Sequence, residues 1–429
     1  MSKCRVEPAT IFANASQVVT CAGPGRARRG SEMRDAGVRT GVAVAVLDGR
    51  VADVAPLAEL RSQFADAREI DCGGGVLTPG LVDSHTHGIF GRPRFEEQEM
   101  RAAGLDYMEI ARRGGGIHAS VRGLRALDEE TLIALARPRL MRLAAFGTTT
   151  VEVKSGYGLT LDDELKTLRV IARLARELPI RIVPTFLGAH EIPLEHRESS
   201  AARRAYVEAL IHEMIPAVAA RGLARFADVF CETGVYTVEE SREILTAARA
   251  AGLELKLHAD ELTSAGGAEL AASLNATSAD HLAAISDDGI AALAGADTVA
   301  TVLPGTMLFL GKSGHAPARR LIEAGVPLAL ATDFNPGTSP TPNLPLILAL
   351  GVSQLRLSVA EVVIGATVNG AAALAMADRL GQIARGYSAD LALYDIRDVR
   401  ELPYWYGDNR CVATFVAGKP CDESNLAVS

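Results

Sequence analysis

The stretch from residue 76 to 87, VLTPGLVDSHTH, takes the chain from one sequence texture into another. Upstream, residues from about 10 to 75 read as short strands between turn residues. IFANASQVVT (11–20), TGVAVAVLDGRVADVAP (40–56) and AREIDCGGGVLTPG (67–80) alternate apolar and polar positions between Gly, Pro and Asp. Only the run near Pro56 to Ala67 has a helical period there. Downstream, Ala/Arg/Glu/Leu-rich stretches such as LDDELKTLRVIARLARE alternate with brief apolar runs. Eight such runs are predicted as strands: 81–87, 148–156, 180–190, 226–234, 253–261, 276–282, 298–305 and 326–335. Eight strands alternating with helices predict a TIM (β/α)8 barrel. After residue 380 short strands return in GQIARGYSADLALYDI and VATFVAGKPCD. The expected organisation is a barrel over 76–380 and a small β-sandwich-like domain built from 1–75 and 381–429.

The polar residues fall in a pattern of their own. His85, His87, Lys154, His190, Glu232, His258, Glu261, His281 and Asp333 stand at or just past the C-terminal ends of the predicted strands, five of the nine histidines among them. A barrel of this kind builds its active site on that rim. In a strand, residues i and i+2 share a face, so His85 and His87 can point at one ion in the barrel mouth. An HxH pair alone is weak evidence, because two polar residues also end many ordinary strands. Here it has distant partners in His258 and Asp333, and together they offer nitrogen and oxygen ligands suited to Zn or Fe. A hydrolytic site also leaves room for water, whose pKa the ion lowers toward about 7. Asp333 can both ligate the ion and accept that water's proton.

Glu261, three residues past His258, is a candidate proton shuttle to a leaving nitrogen. His281 can hydrogen-bond the attacking water, polarise a substrate oxygen, serve as a further ligand, or be structural; the sequence leaves all four open. Lys154 is either a substrate group or the partner of a carboxylate such as Glu152 or Glu232.

TPGLVDSHTH, KSGYGL, FLGAH, HADE, ADHL, LPGT and ATDFNPGTSP, in this order, resemble the imidazolonepropionase family of the amidohydrolase superfamily, and the likeness runs from about residue 10 to 420. HxH with a later His and Asp marks only the superfamily, whereas KSGYGL, FLGAH and DFNPGT are more specific. The resemblance implies hydrolysis of the ring C–N bond of 4-imidazolone-5-propanoate to N-formimidoyl-L-glutamate in histidine degradation. It implies one Zn or Fe ion per subunit on His85, His87, His258 and Asp333. The carboxylated lysine of two-metal relatives, expected at the end of strand four, has no counterpart in VFCETG. By the same resemblance Arg94, Tyr157, His190, Glu261, Asn335, Gly337 and Thr338 fall at substrate-binding positions. A guanidinium fork suits a substrate carboxylate, although Arg92 in FGRPR competes with Arg94 for that task. Tyr107 is a further pocket candidate. Related enzymes are often homodimers, so a homodimer is expected.

Composition narrows the alternatives. The 429 residues are 48% apolar and carry a net charge of −8. No basic stripe suggests nucleic acid, and the Arg26 to Arg29 cluster reads as a solvated loop. No apolar run approaches the roughly 20 residues of a membrane span. The N-terminus lacks the apolar core of a signal peptide, and six cysteines stand without CxxC pairing, so the cytoplasm is the expected compartment. Two rival readings remain. One is a ring aminohydrolase (deaminase) on the same scaffold. The other is an inactive barrel kept for binding, which the full set of candidate ligands disfavours.

Overall fold

A computed structural model describes residues 8–105 and 107–422; the side chains at 107, 108 and 111, including that of Tyr107, lie outside the described residues. All eight predicted barrel strands are present: β1 (Leu81–Asp83), β2 (Thr148–Lys154), β3 (Arg181–Ala189), β4 (Phe226–Cys231), β5 (Glu254–Ala259), β6 (Ser278–His281), β7 (Val299–Val302) and β8 (Leu328–Leu330). Each pairs in parallel with the next in chain order. Most of their residues are buried, as expected for parallel strands covered on both faces.

The barrel closes just beyond the ends of β1 and β8. Thr86 bridges Phe334, the His87 amide donates to the Phe334 carbonyl at 2.8 Å, and the Asp333 amide donates to the His85 carbonyl at 3.0 Å. The seam that shuts the barrel is therefore the one that sets His85 and His87 beside Asp333.

The helices between strands begin where the sequence provides caps. Leu161–Glu177 starts at Thr160, whose hydroxyl accepts the Asp163 amide, with Asp162, Asp163 and Glu164 in the first turn and Arg176 in the last. Val238–Ala250 starts with a reciprocal capping box between Thr237 and Glu240.

Beside the barrel, both ends of the chain contribute to one six-stranded sheet: Lys419–Pro420, Cys411–Val416, Leu391–Tyr394, Val76–Pro79, Gln17–Val19 and Val38–Arg39, in that order. A four-stranded sheet, Arg50–Ala55, Ala43–Leu47, Thr10–Ala13 and Arg68–Asp71, packs on it. Phe12 and Phe415 meet edge to face across the interface, ring centres 4.8 Å apart, within a shared core that includes Val44, Ile70, Leu77 and Leu391. Val76–Pro79 thus belongs to this sandwich, and Gly80 makes the step into β1.

The arginine cluster departs from expectation. Arg26 is exposed, but Arg28 is buried, its amide donating to Asn369 Oδ1 at 2.7 Å. Arg29 pairs with Asp297 at 2.7 Å. The segment is a strap tied to the barrel, which local composition could not reveal. The five described cysteines are free thiols. Among the described residues no helix is long and apolar enough to cross a membrane.

Candidate metal centre and active site

The strand ends bring the predicted residues to one point. His85 and His87 follow β1, His258 lies in β5, His281 ends β6 and Asp333 follows β8. Asp333 Oδ1 lies 3.6 Å from His85 Nε2 and 3.5 Å from His87 Nε2. His258 Nε2 is 3.4 Å from His87 Nε2. Ligand atoms of His85, His87 and Asp333 lie within 4.8 Å of one another, as do those of His85, His258 and His281, and those of His87, His190 and His258. His281 and Asp333 adopt left-handed backbone, φ 78° and 53°. Such conformations cost non-glycine residues roughly 1–3 kcal/mol and gather where a site requires them.

These groups fit a cation. His85 is fully buried and its Nε2 has no hydrogen-bond partner. Burial and neighbouring positive groups hold His85, His87 and His281 well below the usual histidine range, so they present neutral nitrogens. Burial pushes Asp333 up to about 6 and Glu261 up to about 7, with the Asp333 charge adding to the effect at Glu261. A cation among these donors would relieve both strains, since carboxylates held in a low-dielectric pocket favour a positive partner.

A second layer, of which the sequence offered only the pairing of Lys154 with Glu152, orients the histidines. Asp280 Oδ2 lies 2.7 Å from His85 Nδ1, and Asp228 Oδ2 lies 3.0 Å from His258 Nδ1. Each carboxylate fixes the ring so that Nε2 faces the centre. Below them Lys154 Nζ donates to Glu152 at 2.9 Å and to Asp228 at 2.8 Å, and stands 3.8 Å from Asp280. Burial opposes charge on Lys154, but Asp228, Glu152 and Asp280 more than offset it and keep the ammonium protonated. Lys256 closes the network, 3.5 Å from Glu152 and 3.7 Å from Asp280. The parity of the strands carried a signal for this layer. Glu152 and Lys154 are i and i+2 in β2, and Lys256 and His258 are i and i+2 in β5, so each pair faces inward together.

Above the centre a cavity of about 450 Å³ is lined by His87, Tyr157, His190, Glu261 and Thr338 among others, with Arg94 and Arg101 on its wall. His190 Nδ1 is 3.0 Å from the Gly156 carbonyl, which leaves Nε2 for the pocket. Tyr157 and His190 pack at 5.3 Å between ring centres. His281 Nε2 is 3.7 Å from Glu261 Oε2.

Arg94 forms a two-point ion pair with Glu97, both contacts 2.8 Å. Arg92 is largely exposed, pairs with Glu96 and does not line the cavity. Gly337 lies flat against the Arg94 guanidinium, where an added Cβ would collide with it; it supports Arg94 rather than lining the cavity. Asn335 lines the cavity, but its side chain is engaged in its own turn, accepting from the Gly337 and Thr338 amides at 2.8 Å and donating to the Asp333 carbonyl at 2.7 Å. Glu232 does not line the cavity; its carboxylate accepts the Leu262 amide at 2.8 Å and so pins the loop that carries Glu261.

Comparison with known proteins agrees with this geometry. A family model described as "Amidohydrolase family" matches residues 92–421. The imidazolonepropionase of Symbiobacterium thermophilum is 48% identical over 92% of this chain and 93% of its own length. That of Bacillus velezensis is 43% identical over 96% of each. Among solved structures, a zinc-bound adenosine deaminase from Xanthomonas campestris superposes with a TM-score of 0.71 at 21% identity, covering 96% of this chain and 92% of its own. E. coli guanine deaminase reaches 0.72 at 15% identity, covering 96% and 99%. At such identities the two structures share the fold alone.

Proposed function

The chain belongs to the imidazolonepropionase family of the amidohydrolases, and from that premise we propose that its pocket hydrolyses the ring C–N bond of 4-imidazolone-5-propanoate to N-formimidoyl-L-glutamate in histidine degradation. The observation that carries this reading is the polarity of the cavity. Imidazoles and carboxylates converge on its floor, and arginine stands on its wall. A flat ring with a carboxylate tail matches both ends.

One Zn or Fe ion would be held by His85, His87, His258 and Asp333. When bound, such an ion lowers the pKa of a water toward about 7 and polarises a carbonyl beside it. The remaining work falls to the chain. Asp333 and Glu261 are buried carboxylates raised toward neutrality, suited to take a proton from water and return it to the departing ring nitrogen. His281, beside Glu261, would steady the ring oxygen or the water. Arg94 would hold the tail while Tyr157 and His190 flank the ring. Asn335, Gly337 and Thr338 would keep the β8 turn against it.

The division into a barrel and a small domain built from both chain ends is part of the same reading, supported by the sheet to which both ends contribute; Val76–Pro79 lies in that sheet, so the first boundary falls at Gly80 rather than at 76. A homodimer and a cytoplasmic location complete it, the latter in keeping with the free thiols at the described cysteines.

The test is product identification. Freshly prepared 4-imidazolone-5-propanoate incubated with the enzyme is expected to give formimidoylglutamate, heavier than the substrate by one water. Intact substrate after incubation with folded, metal-replete protein rejects the assignment.

A further inference from the structure

The loop KSGYGL, between β2 and the helix Leu161–Glu177, is held by a side chain that does not line the cavity. Glu164, buried in the first turn of that helix, turns its carboxylate back under the loop. Its Oε1 accepts the Gly158 amide at 2.8 Å and the Leu159 amide at 2.9 Å, and its Oε2 accepts the Gly156 amide at 3.1 Å. The Ser155 hydroxyl is a further donor and itself accepts the Leu187 amide of β3 at 3.0 Å. From the other side Arg125 donates to the Gly158 carbonyl at 2.7 Å. Burial disfavours charge on Glu164 and raises its carboxyl. A carboxylate is nonetheless the side chain that suits the place, because hydrogens converge on both of its oxygens and it brings no donor of its own.

The loop passes this order on to His190. Its Nδ1 stands 3.0 Å from the Gly156 carbonyl. A carbonyl only accepts, so Nδ1 carries the hydrogen. Burial keeps this imidazole well below the usual histidine range, which leaves Nε2 as an acceptor toward the cavity that His190 lines. Gly156 has φ 105°, and an added Cβ there would come within 2.9 Å of His190 Nδ1. The ring is thus seated directly on the Gly156 backbone, and a glycine in this conformation is fixed by its hydrogen bonds rather than by a side chain.

We propose that Glu164 is a positioning residue: by fixing the Gly156 backbone it holds His190 in the Nδ1–H tautomer, with Nε2 presented to the substrate as the acceptor for a ring N–H. The tautomer follows from the loop alone. Its effect on turnover rests on the pocket being the substrate site of the proposed reaction.

The test compares wild type, Glu164→Gln and Ser358→Ala, each loaded with zinc and carrying isotope-labelled histidine. Glutamine keeps the shape of Glu164 but has one oxygen, so its amino group opposes either the Gly156 amide or those of Gly158 and Leu159. Two-bond proton–nitrogen spectra separate the Nδ1–H and Nε2–H tautomers, and the His190 signals are those missing from His190→Asn. Wild type is expected to show His190 as Nδ1–H. Glu164→Gln is expected to lose that pattern, together with about 10- to 100-fold in kcat/KM on imidazolone propanoate. Glu164→Asp, too short to span the loop, is expected to do the same and stands in if glutamine prevents folding. Ser358→Ala removes the cap of a different helix and is expected to lower the melting temperature while leaving tautomer and kcat/KM at wild-type values.

An Nε2–H signal from His190 in the wild type overturns the proposal whatever the variants do. A folded Glu164 variant that keeps the wild-type tautomer overturns it as well, because Glu164 would then serve only the stability of the loop. Should the wild type show the Nδ1–H signal but leave the imidazolone intact, the reaction assignment fails, and Glu164 is still judged by the tautomer.

Discussion

Asp280→Asn isolates the second layer beneath the metal centre with the smallest change of shape. Asp280 Oδ2 lies 2.7 Å from His85 Nδ1 and within 3.8 Å of the ammonium groups of both Lys154 and Lys256. An asparagine can keep an oxygen against His85 Nδ1, so the hydrogen bond survives as a neutral one. Charged hydrogen bonds contribute about 1.5–3 kcal/mol and neutral ones about 0.5–1.5 kcal/mol, which makes the local loss about 1 kcal/mol or more. The amide nitrogen then takes the place of Oδ1, a buried atom with no partner, and adds an unsatisfied donor. Two ammonium groups are left facing one fewer carboxylate. Together these effects put the loss at about 1.4–2.8 kcal/mol, a 10- to 100-fold rise in the metal dissociation constant, in line with removal of other outer-layer partners. Competition against a chromophoric chelator, with circular dichroism to confirm folding, reads this directly. Wild-type affinity in a folded Asp280→Asn protein would refute the idea that this carboxylate tunes His85.

Glu261 must be ionised to accept a proton, and burial raises its carboxyl to about 7; activity is therefore expected to fall as pH drops through that value. Glu261→Gln should lose about 10²- to 10⁴-fold in kcat together with that acidic limb, as a pH–rate profile would reveal. Gly337→Ala puts a methyl group into the Arg94 guanidinium, which has to move by about 1 Å to recover ordinary contact. Misplacement on that scale costs on the order of 10²-fold, read as a fall in kcat/KM with the melting temperature little changed. Although adenosine and guanine deaminases share the fold, incubation with adenosine, adenine or guanine is expected to release no ammonia, and steady release would revive the aminohydrolase reading.

The barrel was legible because parallel strands buried on both faces leave short apolar runs between helices with clear caps, as at Thr160 and Thr237. The gathering of His85, His87, His258, His281 and Asp333 was legible for a related reason. Polar residues at the ends of apolar strands have few places to go except the barrel mouth. Asp228, Asp280 and Lys256 were missed because each lies within a strand and looks like an interruption of it, although alternation places Lys256 on the same face as His258. Arg101, on the cavity wall, was missed for the opposite reason, since an arginine in a Glu-rich helix resembles any solvated face. The choice between Arg92 and Arg94 depended on where the loop turns into its helix, which local sequence does not specify. Asn335 illustrates a subtler limit: its side chain is consumed by its own turn, so its position beside the pocket does not translate into a free hydrogen-bonding group.

The most direct test of the account follows the ultraviolet absorbance of imidazolone propanoate with four preparations: metal-loaded enzyme, chelated enzyme, chelated enzyme given back zinc or iron(II), and His258→Ala. The account predicts rapid loss of absorbance with the first and third, and slow, uncatalysed decay with the second and fourth. Equal rates with all four would contradict a hydrolase whose chemistry depends on a cation held by the histidines of this barrel.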